Sequence, residues 1–133
     1  LTGIPYEGQD VSVEFVQKNA NALLDMGAKT VVIKGIVHGD EPIIRNYLAS
    51  AAEGGQVEEV SSELLPYMLH GTGDLFASAL TAAIYTGRTT REAVDFAGEL
   101  VRDAMRVTRE QPDFEMRGVS FEPTLGKVAT LLA

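Results

Sequence analysis

The tetrad Gly71-Thr72-Gly73-Asp74 stands directly before a run of small and apolar residues, 75–84, and this join constrains the chain more than any other feature. Glycine lets the backbone turn tightly and lets a ligand approach it closely, and φ above zero is one reason to expect glycine at position 73. The run that follows predicts a helix over residues 74–86, ended by Gly87. Its Ala77, Ser78, Ala79, Ala82 and Ala83 suit close packing against neighbours. The first amides of such a helix have no partner within it and point back at the glycines, an arrangement that binds anions, phosphates above all. A carboxylate at Asp74 is repelled by a bound phosphate unless it has a task, such as taking a proton from an attacking hydroxyl. The same residues also fit a plain turn with Asp in the first helical turn, where capping and the helix dipole favour it. The four residues alone leave both readings open.

The preceding half supplies an α/β context. Residues 1–9 read as a loop. Asp10 or Ser12 can cap a helix running to Met26, with Val13, Val16, Ala20, Leu23 and Leu24 on one face and Gly27 ending it. Residues 30–33 are β-branched and apolar in Val31, Val32 and Ile33, which suits a strand buried on both faces, as in a parallel sheet. Lys34 and Gly35 close that strand. Ligands of open α/β sheets gather at the carboxyl ends of strands, so Lys34 is either a phosphate contact or a solvated lysine. Residues 43–49 and 56–61 read as two strands around Glu53-Gly54-Gly55, although 43–52 also fits a helix. Residues 62–70 are a loop. Beyond the tetrad's helix, Thr89 with Glu92 forms a capping box opening a helix to about Arg109, with Val94, Ala97, Val101, Ala104 and Met105 on one side. Pro112 stops it. Residues 113–123 read as a loop with room for a short strand, and 124–132 as a final short helix.

Composition narrows the function classes. With 133 residues, 45% hydrophobic and 23% charged, the chain suits one domain with a real core. It has no cysteine, hence no disulfide and no thiolate metal site. Eleven basic residues against nineteen acidic ones, without a basic cluster, argue against nucleic acid or an anionic membrane as partner. No apolar run reaches the roughly 20 residues of a bilayer span. Leu1-Thr2-Gly3-Ile4-Pro5 lacks the features of a signal peptide and an initiator methionine, and reads as a start within a longer protein. His38 and His70 have no partner at metal-ligand spacing and read as structural or solvated.

The segment His70-Gly71-Thr72-Gly73-Asp74-Leu75-Phe76, followed by an alanine-rich helix, closely resembles pyridoxal kinases of the ribokinase-like superfamily. Gly87, the long helix carrying Ala93, Val94, Val101, Met105 and Thr108, and the upstream order of helix, GAKTVVIKG strand and hairpin agree with that family. The resemblance covers essentially the whole chain, at the level of the carboxyl half of such a kinase. It implies an α/β fold, the ribokinase-like three-layer αβα sandwich in part, with residues 1–133 as its carboxyl-terminal, nucleotide-binding portion and the amino-terminal half absent.

The resemblance further implies a phosphotransferase that moves the γ-phosphate of ATP to the 5′-hydroxymethyl group of pyridoxal, pyridoxine or pyridoxamine. Asp74 matches the general base, and Gly71, Thr72 and Gly73 match the anion hole. Lys34 and Gly35 lie where relatives touch ATP phosphates, although many relatives have Thr or Ser at the position of Lys34. Leu69 lies where the family borders the nucleotide and equally fits a core position. ATP and Mg2+ are implied. The magnesium ligands are expected mostly in the absent half, whose Asn-x-x-Glu motif precedes a segment like residues 1–5, and no residue here is assigned to metal. A monovalent cation, a homodimer, association with the amino half and a cytoplasmic location are compatible with the resemblance. Without the vitamer pocket the fragment alone is expected to be inactive. The alternatives are another ribokinase-like kinase, acting on hydroxymethylpyrimidine or a sugar, and a binding or assembly module without turnover.

Overall fold

Ser12 fixes the first helix. Its hydroxyl accepts the Phe15 N–H at 3.1 Å, and α1 runs over Val13–Asp25. Gly27, at φ 109°, ends it. The apolar stripe turns Val16 and Ala20 inward, whereas Val13, in the first turn, is exposed. These coordinates are a computed structural model describing residues 1–8 and 10–133; Gln9, the last residue of the expected opening loop, lies outside the described residues. The chain divides into two compact units, Leu1–Leu64 and Leu65–Ala133.

In the first unit β1 (Thr30–Ile36), β2 (Ile43–Ser50) and β3 (Glu58–Glu63) form a sheet in the order β1-β2-β3, antiparallel throughout. The parallel, doubly buried strand expected over 30–33 is therefore paired differently among the described residues. Its neighbour is β2, reached by a short connection that returns the chain in the opposite direction, as antiparallel pairing permits. Val31 is buried, while Val32 and Ile33 are only half-buried. The strand reading of 43–49 holds over the helical one, and Gly54 and Gly55, both at positive φ, turn the chain between β2 and β3. Helix α1 packs on β1 and β2, with Val11, Val16 and Tyr47 in one cluster and Ala20, Val31 and Ala49 in the next. Gln17 locks the helix to the turn, donating to Gly55 O at 2.8 Å and accepting from Val57 N at 2.9 Å.

In the second unit α2 (Thr72–Tyr85) lies against α3 (Thr90–Arg109). Small residues make this close approach possible: Ala79, Ala83, Ala93 and Ala97 are all buried, joined by Val94, Leu100 and Leu131. The capping box at the head of α3 is complete, with Thr89 and Glu92 each accepting from the other's backbone amide. The segment expected as a loop with a strand contains a short 3-10 turn, Phe114–Met116, and a single parallel bridge between His70 and Gly118. The terminal helix is irregular, with α4 only over Leu125–Val128 between 3-10 turns. Among the described residues no helix is long and apolar enough to cross a membrane.

Candidate active site

Helix α2 begins two residues earlier than its pattern suggests. Gly71 is the N-cap, at φ 88° and ψ −4°, so the left-handed backbone falls there, whereas Gly73 is helical. An L-residue pays for that conformation with a clash between its Cβ and the neighbouring carbonyl, which glycine lacks. A Cβ on Gly71 would also meet Val119 Cγ1 at 3.4 Å. The first rung of the helix is the bond from Leu75 N to Gly71 O, 3.0 Å. The amides of Thr72, Gly73 and Asp74 therefore precede the ladder, at the positive end of the helix dipole. The Thr72 hydroxyl turns back to donate to Leu69 O at 3.3 Å. Leu69 itself is buried, 7% exposed.

Asp74 occupies the third position of α2 and is exposed. The cap of this helix is a glycine without a side-chain bond, so Asp74 is not its capping residue. The dipole is what remains of the structural account. A cavity of about 630 Å3 opens beside it, lined by Gly71 and Asp74 together with the apolar Leu75, Ala79, Leu100 and Phe121. A polar end with free amides and one carboxylate, joined to an apolar trough, suits a ligand with an anionic end and a flat apolar body.

Lys34 and Gly35 belong to the first unit. Both are exposed near the end of β1, at a bulge: Ile33 faces Tyr47 and Ile36 faces Arg45, so β1 takes one residue more than β2. Gly35 has φ 78°. Its amide donates to Asn46 Oδ1 at 3.0 Å, and Asn46 is only 6% exposed. Asn46 is a buried polar residue that the sequence does not mark out, since it follows Arg45 in a strand that is not uniformly apolar. Thr108 stands in the sequence only as one position of a helix, yet it is fully buried and its hydroxyl donates to Ala104 O. A second cavity, of about 750 Å3, lies in this unit between α1 and β1, lined by Val11, Phe15, Ile33 and Ile36 with Gly35 at its edge. Among the described residues His38 pairs with Asp10 at 3.5 Å, and no three of His, Asp or Glu converge where a metal could sit.

The sequence profile of the phosphomethylpyrimidine kinase family matches residues 3–118. Among curated proteins, the chain is similar to the hydroxymethylpyrimidine/phosphomethylpyrimidine kinase of Bacillus subtilis, 33% identical over 101 residues, which is 73% of this chain and 35% of that one. Among solved structures it is similar to pyridoxal kinase from Staphylococcus aureus in complex with AMP-PCP and pyridoxal, with a TM-score of 0.58 and 31% identity over 70% of this chain and 34% of that one. Pyridoxal kinase from Lactobacillus plantarum shares the fold, with a TM-score of 0.79 at 23% identity over 99% of this chain and 46% of that one. The chain thus carries a ribokinase-like fold in part, and spans about a third of the length of the curated relative.

Proposed function

The chain belongs to the phosphomethylpyrimidine kinase family, and from that premise we propose that it is the carboxyl-terminal, nucleotide-side portion of a kinase that phosphorylates the 5′-hydroxymethyl group of a B6 vitamer with ATP. The observation that carries the reading is the start of α2. Three amides ahead of the helical ladder stand beside one exposed carboxylate, behind a glycine in a conformation other residues avoid. A triphosphate fits such a cradle, because its oxygens need donors and the bare Gly71 backbone leaves them room.

In the reaction, the Asp74 carboxylate accepts the proton of the vitamer's hydroxymethyl group. The oxygen attacks the γ-phosphorus as the bond to the β-phosphate oxygen breaks, and ADP leaves. The amides of Thr72, Gly73 and Asp74 hold the oxygens of the moving phosphoryl group, where charge must be stabilised without reorganisation. On this reading Lys34 and Gly35, at the bulge of β1 in the first unit, contact ATP phosphates, and Leu69, whose carbonyl accepts the Thr72 hydroxyl, borders the nucleotide. Mg2+ bound with ATP would screen its phosphates, and no described residue of this chain is assigned as its ligand. The need for ATP agrees with a cytoplasmic location.

A second reading, hydroxymethylpyrimidine as acceptor, is favoured by the description of the matching family and of the Bacillus subtilis relative. Both acceptors are aromatic nitrogen heterocycles bearing a primary hydroxymethyl group. ADP release by the complete kinase, measured with pyridoxal, pyridoxine, pyridoxamine and hydroxymethylpyrimidine in parallel, separates the two. The highest kcat/KM is expected with a B6 vitamer. A preference for hydroxymethylpyrimidine selects the second reading, and no acceptor-dependent ADP release with any of them refutes both.

A further inference from the structure

The aim of the α2 amides depends on the backbone angles of Gly71, and glycine by itself holds no angle firmly. Something else must fix the turn. His70 provides one point of attachment: its carbonyl accepts the Val119 N–H at 2.9 Å, within the parallel bridge to Gly118. The Val119 side chain stands beside the turn, its Cγ1 at van der Waals distance, 3.4 Å, from where a Cβ on Gly71 would lie. The segment carrying Gly118, Val119 and Ser120 is in turn secured from α3. The Ser120 N–H donates to the Thr108 hydroxyl at 2.8 Å, and Ser120 Oγ donates to Gln111 Oε1 at 3.0 Å.

Thr108 is 0% exposed. Its hydroxyl proton goes to Ala104 O at 2.7 Å, the back-bond to the preceding turn that helical threonine commonly makes. That bond orients the oxygen so that a lone pair remains for the Ser120 amide. One residue on, the Arg109 guanidinium lies over the rings of Tyr67 and Phe114, at 4.9 and 4.6 Å, and those rings meet edge to face. Tyr67 stands three residues before His70, whose bridge to Gly118 is isolated. The carboxyl end of α3 therefore grips the approach to Gly71 through a hydroxyl and through a stacked cation.

We propose that Thr108 is a positioning residue for phosphoryl transfer: its buried hydroxyl, through Ser120, Val119 and His70, holds the left-handed turn at Gly71 and so aims the amides of the anion hole. The inference rests on the kinase reading for its catalytic consequence, and on geometry alone for its structural one.

Two substitutions in the complete kinase separate hydroxyl from bulk. Thr108→Val keeps the shape and loses both bonds; Thr108→Ser keeps the hydroxyl. Misaimed oxyanion donors cost turnover more than ground-state binding, so Thr108→Val is expected to lower kcat about tenfold or more while the KM for ATP changes less than about twofold. Thr108→Ser is expected to stay within about threefold of wild type. A Thr108→Val enzyme with lowered Tm but wild-type kcat, assayed well below its Tm, overturns the proposal, as does an equal kcat loss in both variants. If the complete protein proves not to be a kinase, amide hydrogen exchange still decides the structural claim. The Val119 and Ser120 amides should exchange faster in Thr108→Val and not in Thr108→Ser; unchanged protection in both overturns it. Should Thr108→Val not fold, Ser120→Ala tests the same strut by removing the bond to Gln111 Oε1 while leaving Thr108 intact. A several-fold loss of kcat is expected there, and a wild-type value refutes the strut.

Discussion

Asp74→Asn in the complete kinase separates a catalytic carboxylate from a structural one. Asn matches Asp in size. The N-cap of α2 is Gly71, which makes no side-chain bond, so the substitution breaks no cap. What the fold loses is a negative charge in the first turn, worth about 0.3–1 kcal/mol at an exposed position, or a few degrees in Tm. What catalysis loses is a proton acceptor. General-base assistance typically contributes about 10²–10⁴-fold, roughly 3–5 kcal/mol of barrier. The two magnitudes are far enough apart to be read cleanly. Steady-state kinetics at saturating ATP and acceptor should give a kcat at least about a hundredfold lower, with both KM values near wild type, since Asn can still hydrogen-bond the ground-state hydroxyl. Circular dichroism melting should show a nearly intact fold. A kcat within about threefold of wild type, beside a similar Tm, would remove Asp74 from the chemistry and leave it as a dipole-favoured surface acid.

Gly71→Ala should lower both stability and turnover, because the left-handed backbone costs an L-residue about 1–2 kcal/mol; an unchanged Tm would refute the turn at this position. Glu92 accepts the Thr89 amide at 2.8 Å and the Thr89 hydroxyl at 2.9 Å, and the backbone bond, then the hydroxyl bond, hold its carboxyl below the usual carboxylate range. A depressed folded-state pKa contributes stability above the unfolded-state value and loses it as the pH falls through the folded one, so wild type should melt above Glu92→Gln at neutral pH and the gap should close below about pH 4. A gap that persists undiminished in acid would show that the charge of Glu92 plays no part in the cap.

The parts of this molecule that were legible in the sequence are those set by neighbours in the chain. Asp10 or Ser12, and Thr89 with Glu92, mark helix starts because a cap is a contact over about three residues; the capping box forms as expected, and of the first two it is Ser12 that caps α1. The hairpin was legible because Gly54 and Gly55 have to take positive φ in a short turn. What depended on distant partners was not. The apolar run at 31–33 suggested a parallel strand, but the pairing of a strand is decided by which chain segment lies beside it, and here that is β2. The helix α2 starts two residues before the position its pattern predicts, for a related reason. Thr72 and Gly73 are poor helix formers on propensity alone, and they become helical because Gly71 turns the chain and residues 118–120 hold the turn.

The same division runs through the candidate site. The donors and the acid that would face a phosphoryl group lie within four consecutive residues, which is why the motif stands out. The groups that set their aim, Thr108, Val119 and Arg109, lie more than thirty positions away and are ordinary residues in an ordinary helix and loop. Asn46 stands in the same relation to Gly35, supplying from the next strand the acceptor that the bulge takes from the ladder. In both places a glycine at positive φ is exposed at the surface and a buried polar side chain stands behind it. A glycine alone would leave the backbone free to wander, and a buried polar group alone would cost stability without a partner. Together they convert conformational freedom into a fixed backbone: at Gly35 the amide is turned onto Asn46, while at Gly71 the amides that follow precede the helical ladder, as catalysis by preorganised donors requires.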